Sequence, residues 1–415
     1  MRALALIDGE HYAPVVRSAL EELPYEFVAA HMLGGTEKLR GDAEYGVPVF
    51  DDLHEALTVT APELVVDLSD EPVLGPRERM RMASRVLAHG LSYVGADFRF
   101  DPPAFEPFPL ASIGIVGTGK RVGKTAITAR AAELLSRERK VVVVSMGRGG
   151  PPEPEVAEIS PDVDALLELS RAGRHAASDY LETAALSGVP TIGCRRCGGG
   201  LAGAVSVSNV AAGARRAVEL QPDLVLFDAS GAALPPVETR RRVLVVNARQ
   251  DPEVVTGYLN AYRHLLSDVV VLTMADEGSG WEELGQRVSE LGPRVVGVTL
   301  RPRPVERVEG RRVAFFTTAG ESAHADFAEH LAEEHGAEVT HVSGNLADRR
   351  ALADELEKID AEVFLVELKA AAIDVVAEAG RERGIDVVLT GSDVRSTGEL
   401  ELDAELLRLA DEATA

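Results

Sequence analysis

Residues 113–130 read Ile-Gly-Ile-Val-Gly-Thr-Gly-Lys-Arg-Val-Gly-Lys-Thr-Ala-Ile-Thr-Ala-Arg. An apolar run ends at Gly117, a glycine-rich basic loop follows, and a helix-forming stretch begins at Gly123-Lys124-Thr125. Strand, glycine loop and helix in that order are what a phosphate-binding loop requires. Loop amides and the helix N-terminus then converge on one anion. In this reading Gly117, Thr118, Gly119, Lys120, Arg121, Val122, Gly123, Lys124 and Thr125 cradle ATP. Lys124 reaches the β/γ-phosphates and Thr125 ligates Mg²⁺. The usual pattern has glycine at position 118, where this chain has Thr118.

Such a loop needs a parallel sheet around it, and the 415-residue chain supplies short apolar runs alternating with helical patterns nearly throughout. The expected fold class is α/β. A central P-loop domain with a mostly parallel sheet would be flanked by N- and C-terminal Rossmann-like α/β domains. Four prolines in residues 101–109 mark the first boundary, and Arg301-Pro302-Arg303-Pro304 the second. The expected division is 1–100, a linker over 101–110, 111–304 and 305–415.

Net charge is −24, which argues against a general nucleic-acid binder. Small anions remain possible in a local basic cleft. Lysine occurs at six positions, two of them Lys120 and Lys124 of the loop. No apolar run approaches membrane-spanning length, and no signal-peptide pattern opens the chain. With only two cysteines, the expectation is a soluble cytoplasmic protein. Cys194 and Cys197 form one C-x-x-C with no second pair, short of a structural zinc site.

Ligands of open α/β sheets gather at the carboxyl ends of strands. The apolar run 223–227 ends at Asp228, the placement of an acid that holds Mg²⁺ directly or through water. Asn247 closes another apolar run, where a base-recognition residue belongs. Arg148 follows a third strand. Arg195 and Arg196 lie beside three glycines, in either a solvated surface loop or an anion site. Lys369 ends a C-terminal strand, and Asp8, Glu10 and His11 end the first strand.

The form Gly-Thr-x-x-x-Val-Gly-Lys-Thr resembles the loop of dethiobiotin synthetase and its relatives. Several stretches together resemble cyclic 2,3-diphosphoglycerate synthetases: Leu6-Ile7-Asp8-Gly9-Glu10-His11-Tyr12, the loop itself, Met146-Gly147-Arg148-Gly149-Gly150-Pro151, Phe227 through Pro236, and Glu367-Leu368-Lys369-Ala370-Ala371. The resemblance spans nearly the whole chain in the same order. It implies ATP-dependent closure of 2,3-diphosphoglycerate into an intramolecular phosphoanhydride, releasing ADP and phosphate through a phosphorylated intermediate. Lys120, Arg121, Lys124 and Asp228 would then be catalytic, with Thr125 and Asp228 at the metal. Arg148, Arg195, Arg196, Lys369, Asp8, Glu10 and His11 would hold the substrate. The flanking domains would close over the P-loop domain to exclude water, and a homodimer is expected. Two other readings stay open: a different dethiobiotin synthetase-type ligase or kinase acting on a small anionic acid, and a nucleotide-switch ATPase or GTPase acting on a partner protein.

Overall fold

The computed structural model describes residues 1–36, 44–157 and 160–415. Contacts divide the chain into two compact units. One comprises Met1–Ala104 with Asp251–Leu266 and Glu290–Gly292; the other comprises Phe105–Gln250, Ser267–Ser289 and Pro293–Ala415.

In the first unit the strands are β1 (Arg2–Ile7), β2 (Glu26–Met32), β3 (Val49–Phe50), β4 (Leu64–Asp67), β5 (Ser92–Val94) and β6 (Arg99–Phe100). They form one sheet in the order β3-β2-β1-β4-β5-β6. All pairs are parallel except β5/β6, a short antiparallel edge that the alternating pattern did not announce. β1 and β4 are apolar along nearly their whole length because both of their faces are buried. Residues 252–266 read as one helix of the P-loop domain. They instead form two short helices, Pro252–Thr256 and Asn260–Leu265, interrupted at Gly257 and packed in this unit against the helix Pro76–Ala88.

The second unit contains β7 (Ser112–Gly117), β8 (Val141–Gly147), β9 (Glu155–Ala157), β10 (Thr191–Cys197), β11 (Val207–Ser208), β12 (Leu224–Asp228), β13 (Arg241–Asn247), β14 (Val269–Thr273) and β15 (Arg294–Pro304). It continues with β16 (Arg312–Phe316), β17 (Glu338–Ser343), β18 (Val363–Glu367) and β19 (Asp386–Ser396). Among the described residues these make a single thirteen-stranded sheet, ordered β11-β10-β8-β12-β7-β13-β14-β15-β19-β18-β16-β17, with β9 on β10.

The junction lies at β15. Its first part pairs in parallel with β14, as far as Thr273 opposite Val298. It then runs on, antiparallel to β19, from Val298 opposite Ser396 to Pro304 opposite Thr390. The tetrapeptide Arg301-Pro302-Arg303-Pro304 is therefore strand. Its prolines are tolerated because this stretch has a ladder along one edge only. β18 and β16 run parallel to β19, so they run against the P-loop strands. Glu367 at the end of β18 is level with Thr390, and so with Pro304. The carboxyl ends of the two half-sheets thus point at each other. The six-residue step from Val298 to Pro304 separates them by about 20 Å.

Two cores join the halves. Leu402, Leu406, Leu409, Ala410 and Ala413 of the last helix (Leu402–Thr414) pack with Ile127, Ala131 and Leu135 of the P-loop helix and with Ile113 and Ile115 of β7. Leu166, Leu167, Tyr180 and Leu181 pack with Phe316, Phe364 and Leu389. The C-terminal segment is joined to the P-loop segment by the β15/β19 ladder and both cores, so the expected closing motion would have to work against these contacts. Among the described residues, no helix is long and apolar enough to cross a membrane.

Candidate active site

The P-loop strand β7 ends at Gly117, and the helix Lys124–Leu135 starts after Gly123. Gly123 has φ +81°, and a Cβ there would lie 2.7 Å from Leu300 Cδ1, so the position excludes other residues. Thr118, in the place of the usual glycine, is held by the turn: its N–H donates to Val245 O at 3.2 Å, and its hydroxyl lies 2.8 Å from Gln250 Oε1. Thr273 Oγ1 donates to Val122 O at 2.8 Å and fixes the loop from β14.

Lys124 Nζ lies 2.5 Å from Asp228 Oδ1. The Asp228 side chain is 1% exposed and also accepts from Thr128 Oγ1 at 2.9 Å and Ser145 Oγ at 3.4 Å. Burial pushes its carboxyl above the ordinary range, and Lys124 and the Thr128 hydroxyl pull it back. Thr125 and Asn247 both line the adjoining cavity, and Asn247 Nδ2 donates to Arg121 O at 3.5 Å. Arg121 itself has φ +58°, an unusual backbone for a bulky residue.

That cavity has a volume of 690 Å³. Seven basic side chains line it, Lys120, Arg121, Lys124, Arg148, Arg249, Arg301 and Lys369, against three carboxylates, Asp179, Glu182 and Glu367. In a chain of net charge −24 this is a local reversal of sign and selects for an anion. The far wall is Thr318–Gly320, Glu367, Lys369 and Thr390–Ser392. Both sets of carboxyl ends therefore open into one space.

Arg148 and Arg196 converge over Gly231. A Cβ at that glycine would sit 3.2 Å from Arg148 Nη2 and 3.5 Å from Arg196 Nη2. Arg196 Nη2 donates to Ser230 O at 2.8 Å and Nη1 to Gly198 O at 2.7 Å, while its Nε is buried without an acceptor. Burial and the neighbouring Arg148 hold its guanidinium below the ordinary value. Asp179 is the carboxylate that acts on Arg196, and burial and Arg148 outweigh it. Cys194 through Cys197 are the end of strand β10, not a loop. Alternation along the strand sends Arg195 to the face opposite Arg196. Neither arginine lines the cavity itself, but Arg196 reaches its edge through Ser230 and Gly231, which do. Cys194 is buried, its thiol pushed up to about 12 by burial, and Cys197 is exposed.

Lys369 Nζ stands 3.7 Å from Glu182 Oε1 and 3.8 Å from Glu367 Oε2. Glu367 and Glu182 hold its ammonium above the ordinary value. Burial pushes the Glu182 carboxyl up to about 7, with Lys369 opposing. Asp179, Glu182 and Glu367 line the cavity without having been expected as site residues. Asp179 and Glu182, three apart on the helix Asp179–Ser187, look in the sequence like any solvated acidic pair.

Asp8, Glu10 and His11 belong to the other compact unit. Asp8 Oδ1 accepts from the N–H of Glu10 at 3.0 Å and of His11 at 3.1 Å, and Oδ2 from that of Asp70 at 2.7 Å. His11 Nδ1 is 2.8 Å from the same carboxylate.

Family models for the N-terminal, P-loop and C-terminal domains of cyclic 2,3-diphosphoglycerate synthetase match residues 2–101, 112–296 and 304–393. The chain belongs to the cyclic 2,3-diphosphoglycerate synthetase family. The synthetase of Rubrobacter xylanophilus is 52% identical over 99% of this chain and 97% of its own length. That of Thermococcus gammatolerans is 43% identical over 98% and 96%. That of Methanothermus fervidus is 40% identical over 93% and 91%. The resemblance carried by the sequence motifs is thereby borne out along the whole chain. The second and third family domains meet between residues 296 and 304, inside β15, so in this chain the two share a strand.

Proposed function

We propose that the protein is an ATP-dependent ligase that closes 2,3-diphosphoglycerate into cyclic 2,3-diphosphoglycerate, releasing ADP and phosphate. One observation carries the reading: the carboxyl ends of two opposed half-sheets share a cavity with seven basic side chains. Family membership supports the same conclusion.

In this mechanism an oxygen of one substrate phosphate attacks the γ-phosphorus of ATP. The bond to ADP breaks and a diphosphate forms on the substrate. An oxygen of the second substrate phosphate then attacks the inner phosphorus, and inorganic phosphate leaves. Both nucleophiles are ionised near neutral pH, so catalysis is positioning and charge neutralisation rather than proton removal. Lys124 exchanges its contact with Asp228 for the β/γ-phosphates. Lys120 and Arg121 lean over the transferring group. Arg148 and Arg196 clamp one substrate phosphate at Gly231, where bare backbone allows close approach. Lys369 serves the second phosphate, released by Glu182 and Glu367. Arg195 faces away and has no part in this scheme, and Asp8 shapes the loop after β1.

Mg²⁺ fits the donors present, since the Thr125 hydroxyl and Asp228 carboxylate are hard oxygen ligands that would hold it. When bound it neutralises charge between the β- and γ-phosphates. Asn247 is proposed at the nucleotide. The proposal extends to a cytoplasmic homodimer, for which light scattering after gel filtration should return twice the chain mass.

The test is ³¹P NMR of the protein with ATP, Mg²⁺ and 2,3-diphosphoglycerate. Coupled loss of substrate and ATP signals with new anhydride resonances is expected. ATP turnover indifferent to that substrate would sink the reading.

A further inference from the structure

Away from the cavity's interior, three potential metal ligands meet. His330 and His335 come from the helix His324–His335, and Asp393 comes from β19. Their donor atoms all lie within 4.8 Å of one another. His330 Nε2 is 3.2 Å and His335 Nε2 is 3.5 Å from the same oxygen, Asp393 Oδ2. The His335 Nε2 is buried and has no hydrogen-bond partner. A lone imidazole nitrogen buried beside a carboxylate, with its geometry unmet, is a polar group waiting for a ligand.

We infer that His330, His335 and Asp393 bind a borderline divalent transition cation, of which Zn²⁺ is the probe of choice. Two imidazoles and one carboxylate suit Zn²⁺ or Co²⁺ and not Mg²⁺, which keeps oxygen ligands. Ligands around a tetrahedral zinc stand about 3.4 Å apart, given bonds of about 2.0–2.1 Å. Both histidine contacts with Asp393 already have that spacing. Water completes the coordination.

The nearby arginines do not block the site. Arg303 approaches the other oxygen, Asp393 Oδ1, at 3.8 Å, and it is also paired with Glu133 at 3.2 Å. Arg395 is paired with Glu334 at 3.2 Å. The ion would tie the end of the helix to β19 just past Thr390, Gly391 and Ser392, which line the cavity. Ser322, Ala323 and Phe327, at the other end of the same helical segment, line it too. The cation is thus a staple between two cavity walls, apart from the ATP chemistry.

The experiment uses the full chain without nucleotide. The protein is stripped with a chelator, loaded with Zn²⁺ or Co²⁺ alone and desalted. Metal is then counted by elemental mass spectrometry. About one equivalent should remain, the Co²⁺ form should show a visible ligand-field band, and the thermal midpoint should rise on loading. His335→Gln and Asp393→Asn should lose the metal and the band, while Cys197→Ser keeps both. The stripped wild type serves as its own reference should a variant fold poorly. Wild-type protein that emerges metal-free, or a His330→Gln/His335→Gln protein that retains the full equivalent, overturns the inference.

Discussion

Lys124 Nζ and Asp228 Oδ1 lie 2.5 Å apart, with side chains 11% and 1% exposed. The loop lysine and the acid at the end of β12 are therefore an ion pair before any phosphate arrives. Removing one partner strands a buried charge, at about 3–5 kcal/mol. Lys124→Ala should abolish ATP turnover and lower the denaturation midpoint. Adding Asp228→Asn should restore much of the stability and none of the activity. Chemical denaturation and ADP release on the single and double variants check this. Equal stability of Lys124→Ala and wild type would refute the pairing.

Glu182 sets a pH dependence. Its carboxyl has an ordinary value of 4.5 and is pushed up to about 7 by burial. A group whose value is raised on folding stabilises fully below its unfolded value and loses that contribution as pH rises through its folded one. The side chain is 6% exposed, so the loss is on the order of 3 kcal/mol between about pH 4.5 and 7. Glu182→Gln should remove it. Urea denaturation at pH 5 and pH 8 should show wild type losing stability relative to Glu182→Gln; a difference independent of pH contradicts the assignment.

The arginine clamp predicts a split between the two substrates. Gly231→Ala places a methyl 3.2 Å from Arg148 Nη2 on a backbone with φ +58°. Arg196→Ala deletes one fork. Each should raise KM for 2,3-diphosphoglycerate roughly tenfold or more, the worth of a charge-assisted hydrogen bond, with a smaller change for ATP. Initial rates with each substrate varied in turn decide it. An effect confined to ATP would move the arginines to the nucleotide.

The last helix is expected to hold the P-loop helix in place. Leu406 is fully buried against it, so Leu406→Ala should cost about 2–5 kcal/mol. A chain ending at residue 401 should lose ATP binding along with stability. Retention of nucleotide affinity by the truncated chain would show that the loop stands without this support.

Much of the site was readable before the fold. The strand, loop and helix over 112–135 and the acid at 228 depend on short segments whose apolar runs and turn residues report directly on local structure. The motifs around them were enough to place the chain in its family. Arg301-Pro302-Arg303-Pro304 falls where two family domains meet, yet β15 runs on through its prolines, which are tolerated because one edge of the strand is unpaired there. Arg195 and Arg196 stayed open between a solvated loop and an anion site because the three following glycines dominate the pattern; both lie in strand β10.

What only the tertiary structure decided is the opposition of the two half-sheets, the position of Glu182 beside Lys369, and the meeting of Arg148 with Arg196. Each depends on segments distant in sequence. The ladder between 294–304 and 386–396 reverses the C-terminal strands and aims their carboxyl ends at the P-loop. Local periodicity reports which face of an element is buried. It carries no record of which strand lies alongside, and so none of which charges will share one cavity.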